Sequence, residues 1–302
     1  MSEPTARDLG EFALIAAVVQ RLGTSPAVLL GPGDDAALVA APDGRVVVTT
    51  DVLVEGVHFR RDWSTAYDVG RKAAAANLAD VAAMGARATA LLVGLAVPGG
   101  LPVSWVLGLA DGLRDEAVLV AAVLVGGDTV TAEQIVVSVT ALGGLDGRPA
   151  VTRSGARAGD VVVVAGRLGW SAAGLRLLQA GSTTGPFVQA HRTPTPPYAA
   201  GVALARAGAT AMCDTSDGLV ADLGHVARAS GVAVGLHSGR LADDAVSLED
   251  VLTGGEDHAL VATLPPGAVL PEGVRAIGRV LAGAAAVQVD GEPVTGGWEH
   301  FG

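Results

Sequence analysis

Aspartate recurs in this 302-residue chain directly after glycine or at the end of apolar runs. Five segments show the pattern: Gly33-Asp34-Asp35, Thr49-Thr50-Asp51, Asn77-Leu78-Ala79-Asp80, Gly126-Gly127-Asp128-Thr129 and Asp214-Thr215-Ser216-Asp217-Gly218. Carboxylate and hydroxyl oxygens are hard ligands that suit magnesium, which keeps several waters and bridges protein to phosphate. Because α/β proteins bind ligands in the crevice beyond strand ends, the pattern indicates a possible magnesium site.

Each of these segments also has a simpler explanation. An aspartate after glycine is commonly a turn residue, and Asp214 or Asp217 could cap the helix that is predicted over 218–230. For any one segment the simpler explanation is favoured. Five segments in both halves of the chain are harder to explain in this way, although their spacing alone indicates only a possible metal site.

A nucleotide, if one is bound, must be held without the usual phosphate loops. Lys72 is the only lysine, and the sequence contains neither a G-x-x-x-x-G-K-[ST] loop nor the lysine and H-R-D set of protein kinases. Phosphates would then be held by metal ions, backbone N–H groups and arginine. The pair Gly126-Gly127 suits this task, because glycine lets the backbone approach a phosphate closely.

Composition and charge narrow the class of protein. Half of the residues are apolar, 17% are charged and 3% are aromatic, which predicts α/β layers packed through Ala, Val and Leu. The net charge of −11 argues against general nucleic-acid binding, which needs a basic face. The single cysteine, Cys213, excludes an internal disulfide and a cysteine-rich metal site. It is predicted to be an inert core thiol.

The sequence also predicts a cytoplasmic protein that does not enter the membrane. The first residues lack the basic and apolar regions of a signal peptide. The uncharged stretch 88–110 is long enough to span a membrane, but Pro98, Gly99, Gly100 and Pro102 divide it into a strand, a turn and a helix.

Helical and strand patterns alternate through both halves, which predicts an α/β or α+β fold. The predicted helices are 9–22, 71–84, 103–114, 171–180, 199–207 and 218–230. The predicted strands are 45–51, 89–97, 121–125, 134–142, 161–165, 210–213, 232–236, 258–263, 274–280 and 286–289. Residues 182–197 are predicted to form a Thr/Pro-rich loop. A segment rich in Gly, Arg and Pro at 143–160 predicts two domains, 1–146 and 147–302.

Seven motifs, taken together and in this order, resemble thiamine-monophosphate kinases, in the superfamily of aminoimidazole ribonucleotide synthetases. They are Gly-Pro-Gly-Asp-Asp-Ala (31–36), Thr-Thr-Asp-Val-Leu-Val-Glu-Gly-Val-His-Phe (49–59), Asn-Leu-Ala-Asp-Val-Ala-Ala-Met-Gly-Ala (77–86), Val-Gly-Gly-Asp-Thr (125–129), Arg-Ser-Gly-Ala (153–156), Asp-Thr-Ser-Asp-Gly-Leu (214–219) and Gly-Gly-Glu-Asp (254–257). The resemblance implies a two-domain PurM-like fold. Its N-terminal ATP- and magnesium-binding domain would have a mixed sheet that forms a barrel in a homodimer, and its C-terminal domain would be α/β.

The resemblance also implies roles for individual residues. Several magnesium ions would be bound by Asp34, Thr49, Thr50, Asp51, Asp80, Asp128, Asp214 and Asp217, of which Asp51, Asp80 and Asp128 would be catalytic. ATP would contact Gly127, Asp128, Arg153 and Ser216. Thiamine monophosphate would contact His58, Glu256 and a C-terminal aromatic residue, with Trp298 preferred to Phe301. Ala110 stands where the family often has a nucleotide-stacking tyrosine, which puts adenine packing in question.

Two other functions remain as alternatives. One is a different enzyme of the superfamily, but no cysteine precedes Cys213 and the chain lacks a C-terminal cysteine tail, so selenophosphate synthesis and carbamoyl dehydration are disfavoured. The other is a non-catalytic protein that binds nucleotide or divalent cations. Consumption of ATP when thiamine monophosphate is added would distinguish the enzyme from the binding protein.

Overall fold

The chain folds into two compact units, each built around its own sheet. A computed structural model describes residues 4–30, 37–243 and 245–298. The first unit takes the described residues up to Val81 together with Arg87–Gly147. The second takes Ala82–Ala86 and the described residues from Arg148 onward.

The first unit is organised by a four-stranded mixed sheet. Its elements are α1 (Ala6–Leu9), α2 (Glu11–Val19), β1 (Val28–Leu30), β2 (Leu38–Val39), β3 (Val47–Val54), α3 (Ala66–Ala83, whose last two residues belong to the second unit), β4 (Arg87–Val97), α4 (Val103–Val118), β5 (Val123–Thr131) and β6 (Val136–Gly144). The strand order is β3-β6-β4-β5. The β4–β5 pair is parallel, whereas β6 runs antiparallel to both β3 and β4.

One face of this sheet is buried and the other is partly open. Along β6, Val137, Val139 and Ala141 are fully buried, while the residues between them are only half-buried. Side chains alternate between the two faces of a strand. Accordingly Val48 and Val52 of β3, on the open face, are 63% and 46% exposed.

The second unit has a seven-stranded sheet with helices. Its elements are β7 (Val161–Ala165), α5 (Trp170–Gln179), α6 (Pro186–Arg192), α7 (Tyr198–Arg206), β8 (Ala211–Asp214), α8 (Leu219–Ser230), β9 (Ala233–Leu236), α9 (Ser238–Leu241), α10 (Leu248–Thr253), β10 (Leu260–Leu264), β11 (Val274–Leu281), β12 (Ala286–Val289) and β13 (Glu292–Pro293). The strand order is β13-β12-β9-β11-β7-β10-β8. Only the β12–β9 pair is parallel among the pairs described in this sheet.

The central strands of this sheet are buried on both faces. Val162 and Val164 of β7 belong to one apolar cluster, and Val163 and Ala165 to another. Such strands read as continuous apolar runs, because neither face meets water. Cys213 lies in the first cluster, and burial raises the pKa of its thiol well above the ordinary value. The thiol therefore stays protonated at neutral pH.

The predicted α/β (α+β) class is confirmed, and three local predictions are wrong. Gly10 separates α1 from α2, which ends at Val19, so the predicted helix 9–22 is interrupted. The predicted loop 182–197 contains α6, which begins at Pro186, because the first helical turn tolerates proline. Strand β5 runs through Gly126 and Gly127 to Thr131 instead of ending at 125. Among the described helices, none combines the length and apolarity needed to cross a bilayer.

Candidate active site

Two hydrogen bonds from β3 to side chains of α3 position Asp51 and Asp80 in the first unit. The Thr49 hydroxyl donates to Asp80 Oδ2 at 2.7 Å. The backbone N–H of Asp51 donates to Asn77 Oδ1 at 3.0 Å, and Asn77 Nδ2 donates to the Ala73 carbonyl on its own helix. Asn77 is fully buried, so its amide holds the middle of β3 at a set distance from α3. Sequence reasoning placed Asn77 in a motif but gave it no role.

Thr50 is separated from its two neighbours by the alternation of the strand. Its hydroxyl donates to the Val139 carbonyl at 3.0 Å and accepts a hydrogen bond from Thr140 on the neighbouring β6. Thr49 and Asp51 point to the other face. The structure therefore brings Thr49 and Asp80 together, with Asp51 on the same face, but does not bring the Thr50 hydroxyl to them.

Gly127 and Asp128 lie within β5, one of the two outer strands of the sheet. The β4–β5 register shifts between Leu91 and Leu92, as at a β-bulge. A Cβ atom on Gly127 would lie 2.0 Å from the Val93 carbonyl oxygen, so only glycine fits there. Asp128 is exposed, and its Oδ1 accepts the Thr129 N–H at 2.8 Å.

His58 lies in the turn that follows β3. Its Nδ1 accepts the Val54 N–H at 3.0 Å, which places the proton of the neutral ring on Nε2. Lys72, the only lysine of the sequence, donates to the His58 carbonyl at 3.1 Å and is buried. The lysine thus supports the histidine turn.

The second unit crowds three aspartates near the end of β8. Asp214, the last residue of β8, is 3% exposed, and its Oδ2 lies 3.0 Å from His258 Nδ1. The backbone N–H of Asp217 donates to Asp222 Oδ2 at 3.1 Å. The N-cap of α8 is Gly218, with no side-chain cap, so neither Asp214 nor Asp217 caps the helix. Sequence reasoning missed Asp222 and His258, although Asp222 is one helical turn beyond Gly218.

Electrostatic repulsion among these aspartates affects the pKa of Asp222. Burial, followed by the charges of Asp214 and Asp217, raises the pKa of Asp222 to about 7. A cation near Asp222 would relieve this repulsion, because a positive charge favours the ionised form of a carboxyl group. Arg153 is exposed and its positive charge acts in the opposite direction on Asp222, which places the predicted ATP contact near this group.

A strained segment carries Glu256. Glu256 has φ +63° and His258 has φ +52°, a left-handed backbone that is uncommon for residues other than glycine. The Glu256 N–H donates to the carbonyl of Ser216, which is half-buried, at 2.8 Å. Between them, Asp257 accepts the N–H groups of Gly169 and Ser171 at the start of α5. Burial raises the pKa of Asp257 to about 6 despite these bonds.

Trp298 lines a cavity of about 540 Å³ in the second unit. The walls include Arg176, Asp250, Thr253 and Gly255, and the backbone N–H of Trp298 donates to the Asp217 carbonyl at 2.9 Å. A cavity of this size is in the range of small-molecule sites. Trp298 is 57% exposed, so an aromatic residue is exposed beside the acidic group.

The remaining predictions concern metal ligation and two further positions. Asp34 and Phe301 lie outside the described residues. Ala110 is buried in α4 and offers no aromatic surface to a nucleotide. Within residues 4–30, 37–243 and 245–298, no three His, Cys, Asp or Glu side chains are grouped so as to hold a metal ion. The oxygen donors nevertheless fit magnesium in kind, and the crowding around Asp222 leaves negative charge for a cation to balance.

A family profile and a related sequence both match this chain. The profile of the family described as "AIR synthase related protein, N-terminal domain" matches residues 33–145. The thiamine-monophosphate kinase of Mycobacterium tuberculosis is 52% identical over 314 aligned positions, covering 99% of this chain and 94% of that protein.

Solved structures extend the likeness to the fold. The crystal structure of thiamine-monophosphate kinase from Stenotrophomonas maltophilia K279a is 36% identical with a TM-score of 0.81, covering 94% of this chain and 98% of that one. AaThiL complexed with AMPPCP and TMP is 35% identical with a TM-score of 0.80, covering 98% of each chain.

Proposed function

Since this chain belongs to the thiamine-monophosphate kinase family, we propose that it transfers the γ-phosphoryl group of ATP to thiamine monophosphate, forming thiamine diphosphate. The observation that carries this proposal is the 52% identity to a thiamine-monophosphate kinase over 99% of the chain. The local geometry supports it, because the motif residues Asp51, Asp80 and Asp214 are each held by specific hydrogen bonds.

The acceptor needs little help to become a nucleophile. A phosphate monoester has a second pKa of about 6, so its oxygen is already largely ionised at neutral pH. No strong general base is required, and direct in-line transfer is the simplest reaction. The obstacle is the repulsion between two polyanions, since two unit charges 4 Å apart cost about 4 kcal/mol at an effective dielectric of 20.

Several magnesium ions are part of this proposal. When bound, magnesium neutralises phosphate charge and stabilises the transferring group. The residues proposed to hold the ions are Asp34, Thr49, Thr50, Asp51, Asp80, Asp128, Asp214 and Asp217. The hydroxyl of Thr50 is turned away from Thr49 and Asp51, so any contribution of Thr50 would come through its backbone carbonyl.

The chain's own groups would bind and orient the two substrates. Gly127, which lets β5 approach Val93 of β4 closely, would contact ATP through its backbone, and the exposed Arg153 and the half-buried Ser216 would contact ATP as well. His58, with its proton on Nε2, would donate to the acceptor. The thiazolium ring of the acceptor is cationic, so the Glu256 carboxylate and the exposed Trp298 face would both favour it.

We also propose a homodimer formed through the open face of the first sheet. Val48 and Val52 of β3 are exposed there, as is Val130 of β5 at 53%. A sheet face with several exposed valines is better covered by another protein surface than left in water.

Because the proposed reaction consumes ATP, we also propose that the protein is located in the cytoplasm.

An assay of ATP-dependent conversion of thiamine monophosphate tests the function. We expect thiamine diphosphate to form with thiamine monophosphate and no product with thiamine, which lacks the acceptor phosphate. Binding of ATP without turnover would favour the non-catalytic alternative. A single turnover with γ-labelled ATP should leave no label on the protein, whereas a trapped phosphoenzyme would refute direct transfer.

A further inference from the structure

A buried histidine lies beside Glu256 and has no part in the reaction described above. His191, on α6, is 6% exposed, and its Nδ1 lies 3.5 Å from Glu256 Oε2. The same Nδ1 lies 3.0 Å from the hydroxyl of Ser171, which is 1% exposed, on α5. One ring nitrogen is therefore shared between a fixed hydroxyl and a carboxylate.

The packing of α5 against α6 puts the histidine in this position. A Cβ atom on Gly174 would lie 2.1 Å from the Phe187 carbonyl oxygen and 2.9 Å from His191 Cβ. The two helices approach so closely only because position 174 is glycine. Ser171 lies one turn before Gly174 on the same helix face, which brings its hydroxyl to the histidine ring.

The charge of Glu256 selects the tautomer of His191. If Nδ1 carried no proton, its lone pair would face a carboxylate oxygen at 3.5 Å, and the two would repel. With the proton on Nδ1, the ring presents a positive edge to Glu256 and can donate to Ser171 Oγ. The arrangement therefore favours an N–H group directed toward the carboxylate.

The backbone and the side chain of Glu256 are held by different contacts. Its left-handed φ of +63° is held by the Ser216 carbonyl on one side and by Asp257, fixed to the start of α5, on the other. These contacts fix the backbone of residue 256 but leave the long side chain several rotamers. His191 restricts the carboxylate itself.

We propose that His191 is a positioning residue: its Nδ1–H, which is hydrogen-bonded to the Ser171 hydroxyl, attracts the Glu256 carboxylate 3.5 Å away and so restricts its position. The inference rests on the proposed role of Glu256 in binding the cationic acceptor. It makes the Ser171–His191 pair a determinant of acceptor affinity that is absent from the set of residues predicted from the sequence. ATP binding does not depend on it.

The test compares two replacements of one residue in the full chain. His191→Phe keeps a ring but removes the donor, whereas the amide of His191→Asn can place an N–H group near the position of Nδ1. We expect His191→Phe to raise KM for thiamine monophosphate about tenfold, as for loss of about 1.4 kcal/mol of binding free energy, with kcat and KM for ATP within about twofold. His191→Asn should restore KM to within about threefold of wild type.

A double-mutant cycle with Glu256→Gln gives the sharper result. If His191 acts through Glu256, then His191→Phe should change KM for the acceptor less than about twofold once Glu256 is glutamine. The matched control is His237→Phe, which removes a surface histidine 3.9 Å from Asp290 in the same unit and should leave KM unchanged.

The outcomes separate this inference from the proposed function. Wild-type protein that does not convert thiamine monophosphate would refute the function itself. An active wild type with an unchanged acceptor KM in His191→Phe, or a full tenfold effect in the Glu256→Gln background, would overturn the inference alone. If His191→Phe does not fold, Ser171→Ala replaces it. Its acceptor KM should rise about threefold, and an unchanged KM there would likewise overturn the inference.

Discussion

The acidic residues of the two units are held by opposite physical means. In the first unit, Asp51 and Asp80 lie on a strand and a helix that are joined by hydrogen bonds through Thr49 and Asn77. In the second, the aspartates around Asp222 are buried against one another, and His258 partners one of them. The first arrangement is positioned by hydrogen bonds, whereas the second carries repulsion that a cation or a proton would reduce.

This difference indicates how the two groups should respond to change. The aspartates of the first unit depend on the geometry of their hydrogen bonds. Replacing one of them by a neutral residue should therefore lower turnover more than it lowers the stability of the fold. The crowded aspartates of the second unit repel one another unless a cation or a proton balances their charge. The stability of that unit should therefore depend on magnesium and on pH. The following predictions test this contrast.

The largest expected effect is on turnover in Asp51→Asn. Removing one anionic oxygen from the first unit should lower kcat by at least about 100-fold, as for other groups that stabilise a transition state electrostatically, without unfolding the protein. Steady-state kinetics and thermal unfolding measure both. Asp128→Asn should behave alike. Asp62→Asn, which removes a surface partner of Arg60, is the control, and normal activity of Asp51→Asn at limiting magnesium would contradict the assignment.

Magnesium should stabilise the wild type mainly through the second unit. A ligand at a hundred times its Kd adds about 2.7 kcal/mol to the free energy of unfolding. We expect Asp217→Asn to lose much of this gain, since Asp217 is one of the crowded carboxylates. Thermal unfolding with EDTA and with magnesium gives the comparison. Equal gains in wild type and Asp217→Asn would remove the proposed distinction between the units.

Asn77→Ala should have an intermediate effect. It removes the amide acceptor from the part-buried N–H of Asp51, which costs about 1–3 kcal/mol of stability. It also frees β3 from α3, so kcat should fall about tenfold, as for other residues that orient a ligand. Denaturant unfolding and kinetics measure the two effects. If the variant loses the expected stability but keeps a normal kcat, then Asn77 supports only the fold and does not contribute to turnover.

The smallest expected effect is a pH dependence from Asp257. Its folded pKa of about 6 lies above the ordinary value, so the folded state binds the proton more tightly than the unfolded state does. This stabilisation is complete below about pH 4 and is lost as pH rises through 6. Between pH 5 and 8 the free energy of unfolding should fall by about 1 kcal/mol. In Asp257→Asn this part of the pH profile should vanish. An identical profile in wild type and variant would exclude Asp257 as its source.

The sequence predicts the alternation of helices and strands well, because apolar periodicity is local. It also predicts Asp214 at a strand end, where the apolar run of β8 stops. It does not predict that β5 continues through Gly126-Gly127, because the shift of register depends on β4. The opposite orientation of Thr50 follows from strand alternation and could have been predicted. His191 could not, since it is 65 residues from Glu256 along the chain and reaches it only through the close contact at Gly174.

The double-sided burial of β7 and β10 has a consequence for how the sequence can vary. Apart from Thr263, whose buried hydroxyl is hydrogen-bonded to Thr210, the positions of these strands face one of two dry layers, so a polar substitution at any of those positions would be buried away from water. Along β8 the same intolerance should persist through Cys213 and change in kind at Asp214, the residue at which the apolar layers end. A deep mutational scan should therefore show a sharp border there, from selection on volume to selection on charge.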